Sequence, residues 1–209
     1  MLKIYANSMS HPCIKCRYAC NVLGIEYEWV GLDFTKGEHK TPEHMARHPA
    51  GKMPAIDDDG FLLFESDAIC RYLNAKHGGS LVPDGLEAIA IMDQWNAFAI
   101  QHVALAMSKV AFNRVFAPKF NMPVDENSLK EGVQWLARYL PVVDERLGSS
   151  EFYGGDALSL ADITLLALLD MAEIAEIGLD AYANISAWRS RLQAESWCQD
   201  AHADNAAPA

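Results

Sequence analysis

The chain has 209 residues, of which 51% are apolar and 22% charged; this excludes a disordered polymer and leaves room for one large core or two modest ones. Its formal net charge of -11, without any run of Lys or Arg, excludes a phosphate-backbone partner, so no nucleic acid is expected. No stretch approaches the roughly 18 apolar residues of a membrane span, the N-terminus lacks the apolar segment of a secretory signal, and 5 cysteines, three of them at 13, 16 and 20, do not form a secreted disulfide framework; no membrane is expected, and the expected location is cytoplasmic.

Residues 2–5 read as a first strand. Ile14, Tyr18 and Val22, with Ala19 and Leu23, recur at helical spacing until Gly24. Residues 27–32 form a second strand, and a polar stretch leads into a short helical piece that ends near Pro49. Ala55-Ile56 and Phe61-Leu62-Leu63-Phe64 flank Asp57-Asp58-Asp59-Gly60, a hairpin signature because Asp-Gly accepts the positive φ of a tight turn. Ser66 opens a helix through Ile69, Tyr72 and Leu73 that closes at Gly78-Gly79. The order βαβαββα defines an α/β domain over residues 1–78. A linker at 79–85 follows, and beyond it only helical patterns occur, over 86–116, 126–147, 160–177 and 187–197. An all-α domain is therefore expected over 86–200, with a small, polar, frayed tail at 201–209.

Several residues combine a structural role with a chemical one. Met53-Pro54 precedes a strand, where proline is ordinarily a trans residue without a donor to lose. After a strand-helix-strand order, however, thioredoxin-like domains place a cis-proline here and turn the preceding main chain toward a peptide ligand. Glu65-Ser66 stands at a helix start: Ser66 can cap, while free N–H groups and the dipole can also hold a carboxylate and Glu65 an ammonium. Such a pair suits a zwitterionic amino-acid end. Ser10, between the first strand and helix, is either a cap or a hydroxyl that stabilises a thiolate. Cys13-Ile14-Lys15-Cys16 has dithiol spacing, against which stands the ordinary burial of free cysteine; Cys20 alone does not complete a zinc site, so no metal is expected. His39, Lys40 and Lys52 are loop cations near this region. Leu158, Ser159, Asp162 and Ile163 read as a capping box with a hydrophobic staple, a folding motif.

Three stretches, Glu38-His39-Lys40-Thr41-Pro42-Glu43-His44, His48-Pro49-Ala50-Gly51-Lys52-Met53-Pro54-Ala55 and Leu63-Phe64-Glu65-Ser66-Asp67-Ala68-Ile69-Cys70-Arg71-Tyr72, resemble the cytosolic glutathione transferase superfamily, most closely its phi class. The resemblance implies a thioredoxin-like N-terminal domain and an all-α C-terminal domain, with glutathione as co-substrate. It puts the thiol-activating serine at Ser10 and glutathione contacts at His39, Lys40, Lys52, Met53, Pro54, Glu65 and Ser66. It also implies a homodimer and a small apolar electrophile, for which Met9, His11, Phe112, Phe116 and Phe120 are candidate pocket residues, although such side chains at helical spacing are more often core. Where phi-class enzymes carry Asn-Pro-Phe-Gly-Gln, this chain has His48-Pro49-Ala50-Gly51-Lys52, so the glycyl contact passes to Lys52; His11-Pro12-Cys13 is a second departure. Two alternatives stand beside conjugation: glutathione-dependent thiol-disulfide exchange or peroxide reduction through Cys13, and a non-catalytic binding protein on the same scaffold.

Overall fold

A computed structural model describes residues 1–203, which divide into two compact units, residues 1–82 with 193–203 and residues 83–192. In the first unit, β1 (Leu2–Ala6) runs parallel to β2 (Tyr27–Gly31) and antiparallel to β3 (Ala55–Asp58), and β3 runs antiparallel to β4 (Phe61–Phe64). The sheet order is β2-β1-β3-β4. Ile4 and Ile56 face each other across the β1–β3 ladder, both fully buried. The β3–β4 turn is Asp59-Gly60, with φ of 52° and 94°, the two left-handed residues that a tight two-residue hairpin requires.

Helix α1 (His11–Val22) makes the crossover from β1 to β2, α2 (Pro42–Arg47) follows a 3₁₀ turn at Glu38–Lys40, and α3 (Ser66–Lys76) follows β4. Tyr18 of α1 and Ile69 and Leu73 of α3 join Ile4 and Ile56 in the core. This is the thioredoxin-like arrangement expected from the element order.

The second unit is helical throughout. It begins with α4 (Leu86–Phe98), α5 (Ala104–Ala111) and α6 (Ala117–Lys119), which are joined without a break by π-helical turns at Ala99–Val103 and Phe112–Phe116. Helix α7 (Glu126–Ser149) starts where the Asp125 carboxylate accepts from the Ser128 N–H at 3.0 Å. Helix α8 (Leu160–Ile174) is buried at every residue from Leu160 to Leu169, the property of a helix at the centre of a bundle. Thr164 on it donates to Asn96 Oδ1 at 2.7 Å, which ties α8 to α4. Helix α9 (Ala183–Gln193) completes the unit. No helix of the described residues is long and apolar enough to cross a membrane.

The pattern read over 187–197 resolves into two helices, α9 and then α10 (Ser196–Ala203), which starts beyond Glu195. Helix α10 belongs with the first unit, against α1. Tyr18 Oη lies 2.7 Å from His202 Nε2, Asn21 Nδ2 donates to the Trp197 carbonyl at 3.0 Å, and the buried Arg17 guanidinium donates to the Ala201 carbonyl at 3.0 Å. The expected tail thus begins inside α10, and residues 204–209 lie outside the described residues.

Candidate functional site

The turn between β1 and α1 is built by Asn7, a residue the sequence reading passed over. Its Oδ1 accepts from the Met9 N–H at 3.0 Å, its Nδ2 donates to the Leu32 carbonyl at 2.8 Å, and its carbonyl accepts from the Ser10 N–H at 3.0 Å. Asn followed by a short polar segment before a helix is the signal that could have found this Asx-type turn. Ser10 is the N-cap residue of α1 in extended conformation, yet its side chain makes no capping hydrogen bond. Its carbonyl accepts from the N–H groups of Cys13 and Ile14, which starts the helix. The hydroxyl therefore sits at a helix N-terminus without capping it, beside the Cys13 thiol to which it is hydrogen-bonded.

Cys13 and Cys16 are fully buried. Burial pushes the Cys13 thiol up to about 11, against the pull of hydrogen bonds from Ser10 and the Asn7 main chain and of the Arg17 charge. The thiol that Cys16 meets is Cys70 of α3, with the sulfurs 3.9 Å apart. The structure thus does not present Cys13-Ile14-Lys15-Cys16 as an accessible dithiol.

The Met53–Pro54 peptide is cis, two residues ahead of the first β3–β1 partner, Ala55. Ser66 is the first residue of α3 and not its cap. The cap position falls on Glu65, with φ 70° and ψ 113°, and no side-chain capping bond is made there. A non-glycine residue in that region costs about 1–3 kcal/mol, a cost that concentrates at ligand sites. Because Ser66 opens the helix, its main-chain N–H belongs to the first turn, where intrahelical partners are lacking. Asp67, next in line, is held by the buried Lys15 at 3.0 Å and by Arg71 at 3.2 Å, and this offsets an acidic charge at the same helix end.

Around residues 38–52, His39 packs edge-on against Phe34 at 4.9 Å, and its Nδ1 is buried without a hydrogen-bond partner. Burial, reinforced by Lys40 and His44, pulls its pKa down. Lys40, expected to contact ligand, donates to the Ala50 carbonyl at 2.9 Å. Lys52 is exposed. Of the residues read as a second-substrate pocket, Met9 and His11 flank Ser10 in the first unit and are half-buried. Phe112, Phe116 and Phe120 lie in the second unit along the second π turn and just past α6. Phe112 and Phe120 are 42% and 38% exposed, so the core role usual for such spacing does not describe them.

His11 carries a testable consequence. Burial, aided by the Lys15 charge one turn on, lowers its pKa to about 4. The unfolded chain takes up this proton near pH 6.5 and the folded chain only near 4, so stability falls as the pH drops through that window. Urea unfolding of wild type and His11→Asn at neutral pH and at about pH 4.5 should show the variant losing less stability on acidification, by at most about 2.5 kcal/mol given the partial exposure of the ring. Equal losses would exclude a depressed His11.

A thioredoxin-like sheet followed by a helical bundle, with a cis-proline before β3 and a serine heading α1 whose hydroxyl makes no capping bond, defines a two-domain transferase of the glutathione-using kind. The sequence matches the model of the glutathione S-transferase N-terminal domain over residues 1–75 and that of the C-terminal domain over residues 104–195. It is 35% identical to a probable glutathione S-transferase, GSTF2, of Oryza sativa subsp. japonica, over 92% of each chain, and 34% identical to glutathione S-transferase 1 of Zea mays over 91% of each. Among solved structures, glutathione S-transferase-I bound with lactoylglutathione superposes with a TM-score of 0.88 at 32% identity, over 97% of this chain and 98% of the other. Glutathione transferase F2 from Populus trichocarpa gives 0.90 at 26%, over 98% of each. The chain belongs to the glutathione S-transferase family, and its curated relatives are phi-class enzymes.

Proposed function

We propose that this protein binds glutathione in its first unit, activates the thiol through the Ser10 hydroxyl, and transfers the sulfur to small apolar electrophiles. One observation carries the reading: Ser10 stands at the N-terminus of α1 with a hydroxyl that makes no capping bond, while the neighbouring Cys13 is buried with its thiol pushed up to about 11. A hydroxyl donor and a helix dipole favour a bound thiolate; a buried high-pKa thiol is a poor nucleophile.

In this reading the Met53 main chain pairs with the cysteinyl part of glutathione, beside Pro54. The N-terminus of α3, with Ser66 and Glu65, holds the carboxylate and ammonium of the γ-glutamyl end. Lys52 and His39 serve the glycyl carboxylate, Lys52 by its exposed charge. A homodimer is part of the reading and is supported by β4, an edge strand that leaves Phe61, Leu62 and Phe64 at 49%, 45% and 38% exposure. A cytoplasmic setting accords with five free cysteines.

The test is a panel of aryl halides, epoxides, isothiocyanates and hydroperoxides with glutathione, run on wild type, Ser10→Ala and Cys13→Ser. At neutral pH, conjugation should fall about 20-fold in Ser10→Ala and persist within about twofold in Cys13→Ser, because a buried side chain outside the reaction changes no transition-state contact. Turnover confined to disulfide or peroxide substrates and lost with Cys13→Ser would overturn the proposal, as would wild type that binds glutathione and turns over nothing.

A further inference from the structure

The segment 48–52, where this chain departs from the phi pattern, is held by two side chains four residues apart. Lys40, at the end of the 3₁₀ turn, donates to the Ala50 carbonyl at 2.9 Å. His44, on α2, places Nε2 2.7 Å from the Lys52 carbonyl. A carbonyl only accepts, so Nε2 carries the hydrogen. The ring is 1% exposed and its Nδ1 is buried without a partner, which leaves this bond as the polar interaction that the imidazole makes. Between the two anchored carbonyls lies Gly51, with φ 58°. A Cβ there would stand 2.7 Å from Met45 Sδ, 2.8 Å from the His39 carbonyl oxygen and 2.9 Å from Lys40 Cδ, so the backbone is pressed onto residues 39–45 with no room for a side chain.

The Lys52 carbonyl and the Met53 N–H belong to one planar peptide unit, and cis geometry among the described residues occurs only at the next bond, Met53–Pro54. Fixing the direction of the carbonyl therefore fixes the opposite direction of the Met53 N–H. We infer that His44 is a positioning residue for glutathione: its Nε2–H sets the Lys52–Met53 peptide plane, so that the Met53 N–H is aimed in advance at the peptide ligand. Lys40 is the second point of the same clamp, on Ala50. The inference rests on the proposed role of Met53. Preorganisation of this kind appears in ligand affinity, because a peptide plane that must be ordered on binding consumes part of the binding energy.

The experiment compares wild type, His44→Leu and His44→Gln by steady-state kinetics in both substrates and by calorimetric titration with glutathione. Leucine fills the space without a donor, whereas the glutamine amide can still donate to a carbonyl. His44→Leu should raise the KM and Kd for glutathione about tenfold while kcat at saturating glutathione and the KM for the electrophile stay within about threefold, and His44→Gln should recover most of the loss. If His44→Leu does not fold, His44→Asn, too short to reach Lys52, must show the same rise. Unchanged glutathione affinity in the donor-less variants would overturn the inference, as would equal decline of kcat and both KM values in Leu and Gln alike. Wild type without affinity for glutathione would overturn the reading on which it rests, and the inference with it.

Discussion

Ser10→Ala is expected to lower conjugation about 20-fold at neutral pH and by less than about twofold near pH 9. The numbers follow from the thiol. A free thiol with a pKa near 8.5 is about 3% ionised at pH 7, and one lowered by about two units is about 75% ionised, a ratio of about 25. Above pH 8.5 the unassisted thiol ionises by itself and the advantage of the hydroxyl disappears. The sign is therefore fixed: the ratio of wild-type to variant rate falls as pH rises. The KM for glutathione should change little, because the γ-glutamyl and cysteinyl contacts proposed for Glu65, Ser66 and Met53 remain. Rates measured between about pH 6 and 9 check this. A ratio that stays constant with pH would mean that Ser10 acts on folding or binding and not on thiol ionisation.

The second large effect is on stability. Asp162, in the first turn of α8, is fully buried. Its Oδ1 accepts from the Tyr153 N–H at 2.6 Å and the Trp188 indole N–H at 3.0 Å, and its Oδ2 from the Gly154 N–H at 3.3 Å and from the Ser159 N–H and hydroxyl at 3.2 and 2.8 Å. One carboxylate thus satisfies five donors drawn from the 153–159 segment and α9. Asp162→Ala strands all of them in an apolar bundle and should cost about 3–5 kcal/mol, a fall in Tm of about 10 °C for a chain of this size. Asp162→Asn should lose at least half as much, since the amide NH2 must face donors that the second oxygen had accepted. Thermal unfolding followed by circular dichroism measures both; a loss under about 1 kcal/mol in Asp162→Ala would contradict the network.

The sequence made the scaffold legible where local chemistry and tertiary role coincide. Asp59-Gly60 turns the hairpin because it accepts two positive φ angles, and Ser159 with Asp162 forms the capping box at the start of α8. At Glu65 the two diverge. Glutamate gives no local sign of a φ of 70°, so Ser66 read as a cap when it is the first helical residue. The packing partners of Lys40 and Cys16 were not legible for a related reason. Spacing along the chain says which residues are near in sequence, but the Ala50 carbonyl and the Cys70 thiol that they meet are set by tertiary packing. The same holds for α10, whose attachment to α1 through Arg17, Tyr18 and Asn21 joins positions more than 170 residues apart. The π turns along the first helical stretch of the second unit have no composition of their own and read as plain helix.

Titrating the thiol of bound glutathione by its ultraviolet thiolate absorbance, in wild type and in Ser10→Ala, separates ionisation from every later step. With Ser10 present the bound thiol should titrate near pH 6.5, about two units below the free thiol, and in Ser10→Ala it should return toward 8.5. A wild-type thiol that titrates near 8.5, or a low value that survives in Ser10→Ala, would contradict the assignment of Ser10 as the group that activates glutathione.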